Sequence, residues 1–489
     1  EGLGDISKTV ARGFEVLRQP TLMWFIMMDT KDPPTLLDLA TQSLLSNEHA
    51  AIQALEEIPR ELFVPLFTAA FTGRHKNILT AIVKAWPFAC LHIGALSVQE
   101  PERELLKALI ESLQFLPALN SATRSPKLRI LDLRQDAGCK TVCPEISTNS
   151  TICFRSCAHS EHSIFKIEGQ ESLSSSKSEA QPSRLPMELI VDISLDGTLR
   201  ERNFFALLQN KVEQSLGSLH LCCRDLQINN LCECRHALSH LDLKCVDHLA
   251  VDESPLTEVT KLLSHTIQLD SLSLSKIACR SLNGRTFRNF ITQLSRMNHL
   301  KELSLSSFCL TDHLETVLRV LSADLEFLYL PFCGLSYSDF KFLSECSQVS
   351  HLKLLNVNNN PIYWEDCEPF YYLLQNVSST LQHLKICYCF LTDSTISVLI
   401  PALTRCSQLR VLHFYSNQIT MGMLMRILEL LTPLKELKHV IYPIPVHCYG
   451  RWHFQGSLDR QKVEDVQRQL NLMLQEAERS DMNWITYSD

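Results

Sequence analysis

The chain has 489 residues, a net charge of −8 and a pI near 6.2, so no global basic field draws it to nucleic acid. Hydrophobic content is 45% with only 14 glycines, which excludes a disordered chain and points to a well-packed, leucine-rich one. The 19 cysteines are odd in number and scattered through apolar segments, so they read as reduced, buried thiols of the cytoplasm or nucleus rather than a secreted disulfide framework.

In chain order, residues 1–27 read as an extension outside the core. "LMWFIMM" is too short for a signal-peptide core, and Met27 or Met28 stands just ahead of the first capped helix. No run reaches the eighteen or so apolar residues of a membrane span, so no membrane partner is expected. Residues 28–100 read as a helical N-terminal module. Its first helix is "PPTLLDLATQSLL": Asp32 can cap it, Pro33 and Pro34 suit a first turn, and Leu36, Ala40 and Leu44 recur four residues apart. A small alanine between leucines marks close approach to a neighbour, either in this chain or in another protein. A second helix is expected to start at Pro59 and present Leu62, Phe63, Leu66 and Phe67. A third carries Ile78, Ile82, Val83 and Trp86.

Residues 101–440 carry a recurring L-x-x-L-x-L. It reads "LRILDL" (from Leu128), "LGSLHL" (Leu216), "LSHLDL" (Leu238), "LDSLSL" (Leu269), "LKELSL" (Leu300), "LEFLYL" (Leu325), "LKLLNV" (Leu352), "LQHLKI" (Leu381), "LRVLHF" (Leu409) and, more weakly, "LKELKH" (Leu434). From Leu216 onward, starts about 22 to 31 residues apart fit leucine-rich repeats. Each motif predicts a short parallel strand with its first, fourth and sixth residues pointing inward, followed by a segment of helical period. The sum is an α/β leucine-rich repeat solenoid, a horseshoe with an inner sheet, a helical N-terminal module and a mixed C-terminal cap over 441–489. The ninth position of each repeat wants a small side chain that satisfies the turning backbone. Cys333, Asn360, Cys389 and Asn417 fit, whereas Phe308 departs.

Between about 134 and 186 the pattern stops in a Ser-rich segment, read as a disordered surface insertion. Cys139, Cys143, Cys153, Cys157, His159 and His162 within it are zinc-type residues. Their C-x3-C spacings differ from zinc knuckles, and "CEC" at Cys232 and Cys234 is weaker still, so no metal is assigned. No phosphate loop, nucleophile elbow or HExxH helix occurs, so neither enzyme activity nor a cofactor is expected. Specificity in a horseshoe lies on the outward positions of the inner sheet. Here these are Phe327, Tyr329, Leu354, Asn356, His383, Lys385, Val411, His413 and Tyr415, beside a floor of Ser271, Ser273, Ser304 and Ser306. An aromatic, partly basic patch reads as a site for a protein substrate whose identity the sequence does not give.

The ordered blocks "PPTLLDLATQSLL", "EIPRELFVPLFTAAFTGRHKNILTAIVKAWPF", "LRILDLR" and "SLHLCC" resemble the PRAME family (preferentially expressed antigen in melanoma), its rodent oogenesin-like members in particular. The resemblance spans roughly Met28 to Trp484. It implies a substrate-recognition subunit of a ubiquitin ligase built on cullin-2 with its RING subunit, elongin B and elongin C. Thr35, Leu36, Ala40 and Leu44 then match an elongin-binding box, with Leu36 filling a pocket of elongin C. Ile58, Pro59, Leu62 and Leu66 match a cullin-2 box. The same segment with "VKAW" also looks like an F-box, which would recruit a cullin-1 adaptor, and a scaffold or repressor without a ligase stands as a further alternative. Family analogy adds regulation of proliferation, differentiation, apoptosis and transcription in germline or early embryo. The L-x-x-L-L box of nuclear-receptor repressors is not intact; Ile427–Leu431 comes nearest.

Overall fold

The computed structural model describes residues 35–88, 90–93, 103–113, 128–134, 186–266, 268–279, 281–450 and 457–486. The extension at 1–27 and the insertion at about 134–186, with its cysteines and histidines, lie outside the described residues, as do Asp32, Pro33 and Pro34. The chain divides into two compact units.

The first unit is helical. It comprises α1 (Leu36–Leu45), α2 (Glu48–Ala54), α3 (Phe63–Thr72), α4 (Lys76–Lys84) and α5 (Arg103–Ser112). α3 is apolar on most sides and buries Phe63, Leu66, Phe67 and Phe71. Trp86 closes this core edge-on against Phe67 at 5.7 Å and Phe63 at 6.2 Å. Asn47 caps α2 by accepting from the Ala50 amide at 3.2 Å. Glu48 then reaches the start of α4, bonding His75 Nδ1 at 3.0 Å and Asn77 Nδ2 at 3.1 Å. The helix expected from Pro59 begins instead as a 3-10 turn, Arg60–Leu62, and becomes α-helical only at Phe63. Pro65 explains this: it has no N–H for the residue-61 carbonyl, so an unbroken helix from Pro59 would lack that bond.

The second unit is a 13-stranded sheet, β1 to β13 in strict chain order, every neighbouring pair parallel. The strands are β1 (Cys90–His92), β2 (Ile130–Asp132), β3 (Met187–Leu195), β4 (Leu219–Ile228), β5 (His248–Asp252), β6 (Ser271–Ser275) and β7 (Glu302–Ser306). They continue as β8 (Phe327–Tyr329), β9 (Leu354–Asn356), β10 (His383–Lys385), β11 (Val411–His413), β12 (His439–Ile441) and β13 (Asn483–Ile485). From β3 onward a helix follows most strands: α6 (Leu199–Gln214), α7 (Leu231–Leu238), α8 (Leu256–Leu263), α9 (Arg285–Leu294), α10 (Leu314–Leu318), α11 (Tyr337–Glu345), α12 (Glu368–Val377), α13 (Asp393–Leu403), α14 (Met421–Leu431) and α15 (Arg460–Glu476). This is the α/β leucine-rich repeat solenoid that the repeat predicts.

Its core is a row of fourth-position residues: Leu226, Leu249, Leu272, Leu303, Leu328, Leu355, Leu384, Leu412, Val440 and Trp484 stand in register. All are almost fully buried. At about 25 cal/mol per Å² of apolar surface removed from water, a continuous row of this kind is the main favourable term holding the stack. The ninth positions form a second buried row. Asn360 Nδ2 donates to the Leu330 and Val357 carbonyls at 2.7 and 3.0 Å, and its Oδ1 accepts from the Leu335 amide at 3.0 Å. Asn417 repeats the pattern one turn of the solenoid apart from Cys389, whose thiol donates to the Cys387 and Val357 carbonyls. At the departing position, Phe308 fills the space by stacking on Phe290 at 6.1 Å instead.

Three repeats differ from the motif frame. "LSHLDL" is the end of α7 and a 3-10 turn, and the strand that follows uses Val246, Leu249 and Val251. In "LGSLHL" the leading Leu216 is exposed, with φ +49°, because the chain turns there before β4. In "LKELKH" the strand is displaced three residues, with Leu437 and Val440 inward. Two boundaries also shift. β1 lies inside the region read as a helical module, so the sheet begins at Cys90. The region read as a cap supplies the thirteenth strand, pinned by the Arg479 guanidinium donating to the Leu434 and Leu437 carbonyls at 3.0 and 2.9 Å. The 14 cysteines from Cys222 to Cys448 are free thiols, most of them buried. No described helix is long and apolar enough to cross a membrane.

Candidate functional site

Two rows of side chains stand on the open face of the sheet, flanking the buried fourth-position row. One row runs Ser271, Glu302, Phe327, Leu354, His383, Val411, His439; the other runs Ser273, Ser304, Tyr329, Asn356, Lys385, His413, Ile441. The pleat alternates sides every residue, so each strand contributes its first and third residues to this face. The structure therefore brings together Phe327, Tyr329, Leu354, Asn356, His383, Lys385, Val411 and His413 on four adjacent strands. Tyr415 lies just beyond β11, its ring edge-on to Tyr388 at 5.6 Å. Leu354 and Asn356 were expected to be open to a partner, but both are buried between the flanking strands β8 and β10.

The β10–β12 half of this face is basic and only partly solvated. Burial, with Lys385, Arg410 and His439 nearby, holds His383 below the ordinary histidine range. Burial also lowers Lys385. Burial and then Lys385, His383 and His439 push His413 down to about 3, so its ring is neutral at physiological pH. Lys385 forms no salt bridge among the described residues. A half-buried ammonium beside the neutral His413 ring is a place where a carboxylate from outside gains more than it would on an open surface.

The leucine periodicity alone does not disclose the rim above these rows. The eighth position of seven successive repeats has left-handed φ, between 47° and 58°: Glu253, Lys276, Ser307, Phe332, Asn359, Tyr388 and Ser416. The chain leaves the sheet there, just before the buried ninth-position residue. Asparagine tolerates that conformation, whereas an aromatic residue adopts it at a cost of about 1–2 kcal/mol. Phe332 and Tyr388 nevertheless occupy it, and Phe390 repeats it two residues on. With Tyr363 and Trp364 they form an exposed aromatic rim; Phe390 is 56% exposed and lies 6.1 Å from Tyr363. An aromatic residue at a position made for asparagine or glycine was the signal available in the sequence.

In the helical unit, α1 packs on α2 and α3 through Thr41 and Leu45, and Thr41 Oγ1 donates to the Leu37 carbonyl at 3.0 Å. Its other face carries Thr35, Leu36 and Ala40 outward, with Leu44 half-buried, and Leu36 is 87% exposed. Ile58 and Leu62 are half-buried and Pro59 is exposed, but Leu66 is 1% exposed in the core of its own unit. The structure thus separates Leu66 from the other three cullin-box residues. Ile427, Leu428 and Leu431 are buried as well, so the segment nearest to an L-x-x-L-L box faces the core. A cleft of about 420 Å³ between α6 and α7 includes Cys234, whose thiol burial pushes up and so keeps protonated.

One strand per repeat, helices behind and a patterned face in front define a leucine-rich-repeat interaction scaffold. Models of the PRAME N-terminal and C-terminal domains match residues 33–138 and 187–486 respectively, and the chain belongs to the PRAME family. It is 33% identical over 470 residues to human PRAME family member 12, covering 90% of this chain and 92% of that one. It is 30% identical over 500 residues to bovine leucine-rich repeat-containing protein 14, covering 92% and 97%.

Proposed function

We propose that this chain is the substrate-recognition subunit of a cullin-2 ligase, carrying no chemistry of its own in the cytoplasm or nucleus. α1 would hold elongin C, with elongin B, cullin-2 and the RING subunit following, and the open sheet face would hold the substrate. The observation that carries the reading is Leu36. A leucine 87% exposed on a folded helix contributes little to its own unit, and Ala40 beside it permits close helix approach. The burial of Leu66 limits any cullin contact to Ile58, Pro59 and Leu62 and bears equally on the F-box alternative, which shares that segment. Lys385, which stands between Asn356 and His413 and forms no salt bridge among the described residues, selects a substrate segment with a carboxylate flanked by apolar side chains.

The test is affinity capture of the full chain followed by identification of co-purifying subunits. Elongin B, elongin C and cullin-2 should appear, and Leu36→Asp should remove all three. A charged group cannot enter an apolar pocket without a desolvation cost of several kcal/mol. Recovery of the cullin-1 adaptor would overturn the reading in favour of an F-box, and recovery of neither would leave the plain scaffold.

A further inference from the structure

Away from the open-face patch, two local periodicities converge on one point beside β4. His220 and Cys222 are two residues apart on the strand and share a face. Asp242 and Cys245 are three apart across the 3-10 turn Leu243–Cys245, a spacing that eclipses side chains. That turn lies against the first half of β4, which β5 does not reach, since their pairing begins only at Asp225 and His248. The result is that His220, Asp242 and Cys245 place their donor atoms within 4.8 Å of one another.

We propose that this cluster is a zinc site with His220, Asp242 and Cys245 as ligands and water in the fourth position. His220 Nε2 and Asp242 Oδ2 are 3.4 Å apart. Two donors each about 2.0–2.1 Å from a tetrahedral zinc ion stand about 3.3–3.4 Å apart, so this edge is already set. Asp242 is held in a suitable orientation, because its Oδ1 accepts from the Lys244 amide at 3.1 Å and leaves Oδ2 toward the histidine. Cys245 is buried beneath, while His220 and Asp242 keep about a third and more of their side chains open, so an ion enters from solvent onto the sulfur. Cys222 and Cys245 are in hydrogen-bond contact, with the Cys245 thiol donating to the Cys222 sulfur in this structure; zinc would displace the Cys245 proton to solvent, and the contact would then run from the Cys222 thiol to the metal-bound sulfur. A surface His–Asp pair alone would need no buried thiol under it. The ion would tie the turn to the part of β4 that β5 leaves unpaired.

The experiment uses the full chain, stripped of metal under reducing conditions and titrated with Zn2+ or Co2+. One Co2+ should bind with visible d–d bands of a four-coordinate ion and a thiolate-to-cobalt charge-transfer band, and Zn2+ should displace it. His220→Gln and Asp242→Asn, both on the solvent side, should abolish the spectrum while leaving the circular dichroism unchanged. Cys245→Ser should remove the charge-transfer band, and Cys222→Ala should weaken binding about 10–100-fold. No cobalt spectrum, or a spectrum that survives Cys245→Ser because the ion sits on Cys139–His162, would overturn the assignment.

Discussion

Asn417→Ala should be among the most destabilising single changes in the solenoid. The side chain is fully buried and serves five backbone groups, the Tyr415 carbonyl most distantly at 3.4 Å. Its Nδ2 donates to the Ile386 carbonyl at 2.9 Å and the Phe414 carbonyl at 2.6 Å, and its Oδ1 accepts from the Cys389 and Leu391 amides at 3.1 and 3.0 Å. Alanine leaves the two amides without a partner, at about 1–3 kcal/mol each, so a loss of about 3–5 kcal/mol is expected. Cys389→Ala, in the same row one repeat earlier, removes only weak thiol donation to carbonyls at 3.3 and 3.4 Å and should cost about 1 kcal/mol. A solenoid can unfold in parts, so urea denaturation should be paired with hydrogen exchange at the Cys389 and Leu391 amides. Equal destabilisation by the two variants, or unchanged exchange at both amides in Asn417→Ala, would refute the idea that this row is a hydrogen-bonded ladder.

Asp339 is buried and accepts from the Asp312, Leu314 and Ser336 amides at 2.9, 3.2 and 2.9 Å, so Asp339→Ala should cost about 3 kcal/mol or more in urea denaturation. His413 is depressed to about 3 in the fold, against about 6.5 in the unfolded chain, so its contribution is complete above pH 6.5 and is lost as pH falls toward 3. Denaturation at stepped pH should show a loss of up to about 1.4 kcal/mol per pH unit in that window, lessened in His413→Gln. Truncating Tyr329 and Tyr415 together to alanine should weaken substrate capture by roughly thirtyfold or more per ring. Elongin capture through α1 should survive that change, and undiminished substrate capture would remove the open face from the account.

The strand rows were readable wherever leucine occupied all three inward positions, as at Leu269, Leu300 and Leu325. Reading failed where other apolar residues substitute: Val246 and Val440 carry the inward row while nearby leucines form a spurious motif. It failed again at β1 and β13, which are single three-residue strands with no period to detect. The asparagine ladder was legible because only a small side chain with both donor and acceptor serves a turning backbone. Leu66 was misjudged because a helical spacing gives a face but not what covers it. In α3, Phe63, Phe67 and Phe71 leave no outward side for it. The aromatic rim escaped because positive φ is visible in a sequence only through glycine or asparagine, and here Phe332 and Tyr388 carry it. The cluster at His220, Asp242 and Cys245 depends on a strand and a turn meeting, which no linear spacing displays.

The central claim, that α1 is built to hold elongin C, is tested most directly by titrating the purified full chain with the purified elongin B–elongin C pair by calorimetry. The account predicts one-to-one binding, its loss by at least about a hundredfold in Leu36→Asp, and a melting temperature for that variant equal to the parent's because Leu36 lies in solvent. Absence of binding by the parent chain, or binding that Leu36→Asp leaves intact, would contradict it.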